Sequence, residues 1–169
     1  MSRACDTAIA AEVQHRRRVV VDVILLLMRN GRIPLRERVN TGYGDGAYEP
    51  PTGQLADQET IAETAIRVAS AEAGVAIRAE NVSLAHVMHD VSGSGRIGFY
   101  LAVSGWEGEY ISPDARWFPV GNLPTNMLDR PRMALRNYAE GMRFSTYPAF
   151  GPAGPALFSA SGWQDAFSA

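Results

Sequence analysis

A single cysteine, no surplus of basic residues and no apolar run long enough to cross a bilayer set the first limits on this 169-residue chain. Cys5 alone can form no intrachain disulfide and no thiolate metal site, a usage that fits a reducing compartment. Lys and Arg number 16 against 18 Asp and Glu, a formal net charge of −2. The basic excess that non-specific nucleic-acid or anionic-membrane binding requires is therefore missing. His15-Arg16-Arg17-Arg18, the one basic cluster, reads as a solvated lead-in to the first strand, with a phosphate or nucleic-acid patch as the alternative. The longest apolar run, Val23 to Met28, is far short of the roughly 20 residues a spanning helix needs, and the N-terminal residues show no charged-then-apolar leader pattern. The expectation is a soluble cytoplasmic protein with neither nucleic acid nor membrane as partner.

What is present suffices for one hydrophobic core, since 46% of the residues are hydrophobic. The organisation reads as an N-terminal extension over 1–16, a folded domain over 17–145, and a tail over 146–169 rich in Gly, Pro, Ala and Ser. Val19 to Met28 predicts a strand, Asn30-Gly31 a tight hairpin turn, and Arg32 to Arg38 the returning strand. Pro34 cannot donate to a ladder, so that strand should have an edge or a bulge there. Asn40 to Gly46 reads as a loop, Ala47 to Pro50 as a short strand, and Pro51-Thr52-Gly53 as a turn. Gln58 to Ala73 has helical spacing, with Asp57 as N-cap and Gly74 as C-terminal stop. A second hairpin is expected from Val82 to Val103 around Ser92-Gly93-Ser94-Gly95, then a short strand at Trp117 to Val120 and a helix from Pro131 to Met142.

Gly53, Glu59, Arg67, Glu72 and Gly74 carry the most specific pattern in the chain. Five residues separate Gly53 from Glu59, seven separate Glu59 from Arg67, and Val75 closes the stretch with an aliphatic side chain. The run GQLADQETIAETAIRVASAEAGV resembles the Nudix box, G-x5-E-x7-R-E-U-x-E-E-x-G-U, where U is a bulky aliphatic residue. Its flanks, RVNTGYGDGAYEPPTG before and RWFPVGNLP after, are also similar to that family, so the resemblance spans about residues 17 to 143. It implies an α/β fold, a Nudix-like α/β/α sandwich built on a mixed β-sheet.

The resemblance also implies diphosphate chemistry, in which glutamates on one helix face gather divalent metal to neutralise charge and activate water. Here the chain departs from the family. Val68 stands directly after Arg67, and Ala71 replaces the first member of the glutamate pair, leaving Glu72 as a single, weak metal ligand. Glu107, Glu109 and Asp114 are the acids available on a late loop. Glu59, Arg67 and Gly74 are expected to be structural, with Glu63, four residues before Arg67, as an alternative partner for it. Thr52 in the turn cannot comfortably take a positive φ, which predicts an altered phosphate loop.

The expectation is consequently a protein that has lost most of a metal-dependent site and acts on a small metabolite without metal, by isomerisation, cyclisation or elimination. Two alternatives stay open: residual magnesium-dependent hydrolysis of nucleoside diphosphate derivatives, and a non-catalytic metabolite-binding module. No cofactor is then required, magnesium applying only to the hydrolase. The partner is a small-molecule substrate or ligand, with a homodimer left open. Strand alternation places His86 with Leu84, Met88 and Asp90 on one face and His89 with Ala85 and Val87 on the other. Together with Glu72 these histidines are the candidate catalytic residues, since imidazole transfers protons near neutral pH without metal. Arg36, Arg38, Tyr48, Glu49 and Gly53 are the candidate substrate-binding residues, with Tyr43 and Asp45 beside them.

Overall fold

The computed structural model describes residues 18–93, 95–110, 112 and 114–148. The expected N-terminal extension and the tail beyond residue 148 lie outside them. Eight strands and two helices build the domain: β1 (Val20–Leu27), β2 (Arg32–Glu37), β3 (Tyr48–Glu49), β4 (Thr52–Gln54), α1 (Ile61–Val68), β5 (Val82–Asp90), β6 (Arg96–Val103), β7 (Ala115–Pro119), α2 (Asp129–Ala139) and β8 (Phe144–Tyr147).

β1 explains why the architecture is layered. It is apolar on both faces, and period-two alternation sends Val23, Leu25 and Leu27 one way and Ile24 and Leu26 the other. The first set packs with Ala65, Val68, Ala69 and Ala73 of the box helix and the turn that follows it. The second packs with Ile33 and Leu35 of β2 and Ala134 and Leu135 of α2. A five-stranded mixed sheet, ordered β4-β1-β6-β5-β8, thus has helix on both sides. β1 pairs with β6 in parallel and with β4 antiparallel. A second, three-stranded sheet, β3-β2-β7, leans on the same core.

The Asn30-Gly31 turn forms as expected: both residues have positive φ, 52° and 69°, and Arg29 and Arg32 exchange backbone hydrogen bonds of 2.9 and 3.0 Å. Pro34 is buried but lies beyond the reach of β3, which pairs only with Arg36 and Glu37, so its missing N–H costs that pairing no hydrogen bond.

Several local expectations are corrected. Thr60, not Asp57, caps α1, through a reciprocal capping box with Glu63. The helix is regular only to Val68 and widens into a π-helical turn over Ala69–Ala73 before Gly74 ends it at φ 69°. Thr52 and Gly53 form β4 against β1 instead of a turn, and neither has positive φ. Thr146 and Tyr147, placed in the tail by composition, belong to β8 and cover the β5 edge in parallel. A bulge between Leu84 and His86 breaks the alternation of β5: Leu84 is 48% exposed, whereas His86, Met88 and Asp90 are buried.

Candidate functional site

The box helix reaches the sheet closely because Gly53 has no side chain. A Cβ there would lie 2.5 Å from Cγ2 of Val68, which is 1% exposed. Val68 therefore belongs to the core, and β4 is pinned against α1. Arg67 projects outward and donates to Glu59 through Nε and Nη2, both at 2.7 Å, while Nη2 also donates to the Gln54 carbonyl at 2.9 Å. This fork takes Glu59, not Glu63, as its carboxylate. The Arg67 hydrogen bond, with further donation from Thr64 and the Ala56 amide, holds the Glu59 carboxyl down at about 2. Glu63 serves the cap.

Glu72 projects from the π-helical turn and is ion-paired with Arg36 of β2. Arg36 also lies 3.8 Å from Glu49 of β3, and Glu49 accepts from Arg38 at 2.5 Å. Four of the predicted residues are thus brought together, in the alternating order Glu72, Arg36, Glu49, Arg38. Tyr110 lies near enough to feel the charges of both Arg36 and Glu72; burial pushes its phenol up to about 12, so it stays neutral. The late-loop acids do not join: Glu107 pairs with Arg78 at 3.1 Å, and Glu109 and Asp114 are exposed. No group of three His, Cys, Asp or Glu that could hold a metal ion occurs among the described residues. The residues present do not fit the family's metal cluster: one carboxylate faces it, and a guanidinium already holds that carboxylate.

The other predicted residues part company. His86 is 0% exposed, with Nδ1 2.9 Å from the Met142 carbonyl and Nε2 2.8 Å from Oγ of Ser145. A carbonyl only accepts, so Nδ1 carries the proton and Nε2 accepts from the serine. Burial holds this imidazole below its usual range. It ties β5 to the segment leading into β8. His89 is exposed. Tyr48 is 5% exposed, stacks edge-on against Phe118 and donates weakly to Glu37 at 3.3 Å, which makes it core and not cleft wall.

A cleft that the sequence reading touched only through Glu49, Tyr43 and Asp45 lies where β1, β5 and β6 meet the start of α2. Asp22 accepts a two-pronged contact from Arg96, at 2.6 and 2.7 Å. Asp90 accepts from Arg130 at 2.9 Å and from the amide and hydroxyl of Ser92. Burial raises Asp90, but the Ser92 hydrogen bonds and the Arg130 charge outweigh it and keep the carboxyl below its usual range. Asp22, Asp90, Arg96 and Arg130, with Tyr100, Met88, Ile24 and Glu49, line a cavity of about 50 Å³. Burial raises the Tyr100 phenol, so it too stays neutral. A wider hollow of about 810 Å³ shares Asp90, Arg96, Leu128 and Arg130 with it and is rimmed by Tyr43, Asp45, Asn126 and Tyr147. The partners are 74 and 40 residues apart, so no spacing rule joins them. The one local signal was Asp22, a lone acid inside the apolar run of β1.

Residues 16–138 match the NUDIX domain, well over half of the chain, and the chain belongs to that family. Its structure is similar to a MutT NUDIX hydrolase from Burkholderia pseudomallei, at 24% identity and a TM-score of 0.60 over 70% of this chain and 97% of that one. It is similar as well to a MutT protein from Bacillus halodurans, at 19% identity and 0.60 over 76% and 88%, and to the E. coli ORF135 protein, at 16% identity and 0.60 over 73% and 90%. At these identities the likeness establishes the fold. No curated protein sequence matches the chain. No helix among the described residues is long and apolar enough to cross a membrane.

Proposed function

We propose that this NUDIX-family protein holds a small polar metabolite in the cleft between its five-stranded sheet and the start of α2, and does so without a metal cluster at the box. One observation carries the reading: the only acid left on the metal face of the box, Glu72, is ion-paired to Arg36. Metal-assisted hydrolysis needs a water brought near neutral pKa on a multiply coordinated cation. A guanidinium is permanently protonated and can do neither job.

The cleft itself supports a ligand of mixed polarity. Its walls offer three carboxylates, of Asp22, Asp90 and Glu49, and two guanidiniums, so a molecule carrying both donors and acceptors can exchange with them, while Ile24, Met88 and Tyr100 supply apolar contact. Metal-free isomerisation, cyclisation or elimination would need a proton-transfer group in the cleft. His86 has both nitrogens engaged in the core, which favours the binding module over acid–base chemistry by that residue. Tyr100, neutral and on the cavity wall, is the group placed to donate a hydrogen bond to a bound molecule.

The reading is tested by thermal-shift screening of the full chain against nucleosides, nucleotides, amino acids and sugar phosphates, with and without chelator. A ligand that stabilises equally in both conditions, and less well in Arg130→Met, supports it. Stabilisation or phosphate release that chelator abolishes contradicts it.

A further inference from the structure

We propose that Arg36 is the resident cation of the box: its guanidinium bridges Glu72 and Glu49, and its charge, not the loss of glutamates alone, keeps divalent metal away. The inference builds on the metal-free reading above and gives it a cause that can be removed.

Arg36 stands between carboxylates from two separate elements. Glu72 comes from the turn after α1, and Glu49 sits opposite Arg36 in the β2–β3 register. Both partners of the shorter contact are partly withdrawn from solvent, the side chains of Arg36 and Glu72 being only 31% and 28% exposed. With Arg38 on the far side of Glu49, two guanidiniums face two carboxylates, so the cluster offers no net negative charge to a cation. Two further observations place the pair in a partly dry setting. Oε2 of Glu72, the atom that meets Arg36, is shielded from solvent and makes that contact as an ion pair outside hydrogen-bond geometry, and the neighbouring Tyr110 hydroxyl is buried without a hydrogen-bond partner. In such surroundings charges are poorly screened, and arginine cannot discharge to make room at any pH near neutral. The guanidinium thus cross-links the box turn to the second sheet, which is the architectural half of a metal's work without its power to activate water.

A consequence follows that loss of glutamates alone does not predict: restoring an acid should not by itself restore metal binding. Ala71 is exposed, so Ala71→Glu returns a family carboxylate beside Glu72 without disturbing the core, whereas Val68→Glu would bury a charge. A charge within about 4–6 Å changes a carboxylate's affinity for a proton by about 10- to 1000-fold, and a divalent ion is repelled at least as strongly.

The experiment titrates Mn²⁺ alone into full-length wild type, Ala71→Glu, Arg36→Gln and the double variant, read by electron paramagnetic resonance and calorimetry. Thermal melts confirm folding, and Arg36→Met replaces Arg36→Gln if the latter does not fold. The double variant is expected to bind Mn²⁺ at least about tenfold more tightly than Ala71→Glu. Equal affinity of those two, including no detectable binding by either, overturns the role of Arg36 while leaving a silent wild type metal-free. Tight binding by the wild type overturns both readings.

Discussion

Gly53→Ala is the substitution whose cost can be worked most directly from the contact between β4 and α1. The added methyl carbon would lie 2.5 Å from Cγ2 of Val68, against ordinary contacts of about 3.5–4.0 Å. Roughly 1 Å of movement is needed in a side chain that is 1% exposed and packed with Val23 and Ala65. Overpacking of that kind costs about 1–3 kcal/mol. Gly53 does not have a positive φ, so alanine also trims unfolded-state entropy, a gain of about 0.4–1 kcal/mol. The net loss expected is about 0–2.6 kcal/mol. Val68→Ala alone removes two buried methyl groups and costs about 1.5–3 kcal/mol. In the double variant the new methyl group occupies space the old ones vacated, so the two losses should fall short of adding by at least about 1 kcal/mol. Urea unfolding of the four proteins measures this cycle. A stabilising Gly53→Ala, or additive losses, would refute the close approach and with it the placement of Val68 in the core.

Three other outcomes follow from the same contacts. Glu59, held at about 2 by Arg67, stabilises the fold fully above its unfolded value near 4.3 and loses that contribution as pH falls toward 2; Glu59→Gln should therefore unfold more easily at neutral pH and show a flatter acid melting curve across that window. His86 has a folded pKa below its unfolded value near 6.5, so protonation of the unfolded chain drains stability as pH drops below that point. The decline in melting temperature between about pH 7 and 5 should shrink in His86→Asn, and an unchanged slope would mean that His86 is not the titrating group. Asp22→Asn leaves Arg96 with a neutral partner in a partly buried setting, an expected loss of about 1–3 kcal/mol by denaturant titration, and no loss would show the pair to be incidental.

Much of the fold was legible because its signals are local. The doubly apolar β1, the Asn30-Gly31 turn and the Gly74 stop each rest on one residue's conformational preference or a short period. Box spacing gave the family for the same reason, whereas the choice of Glu59 over Glu63 as the partner of Arg67 was left open by spacing and is made in the structure. Features that depend on distant chain were not legible. The β5 bulge re-aims Leu84 without any glycine or proline to announce it. The fate of Glu72 depends on Arg36, which lies on β2 well before the box, and the Asp22–Arg96 and Asp90–Arg130 pairs exist only once three strands and α2 are assembled. His86 was a plausible acid or base as a residue type; the Met142 carbonyl and Ser145 hydroxyl that occupy it come from the end of the chain.

The measurement that tests the central claim most directly is calorimetric titration of magnesium into the wild-type protein, run beside phosphate release from nucleoside diphosphate derivatives with and without chelator. The account predicts no saturable magnesium site and no metal-dependent release. Saturable binding at micromolar to low-millimolar strength, with release that chelator abolishes, would contradict it.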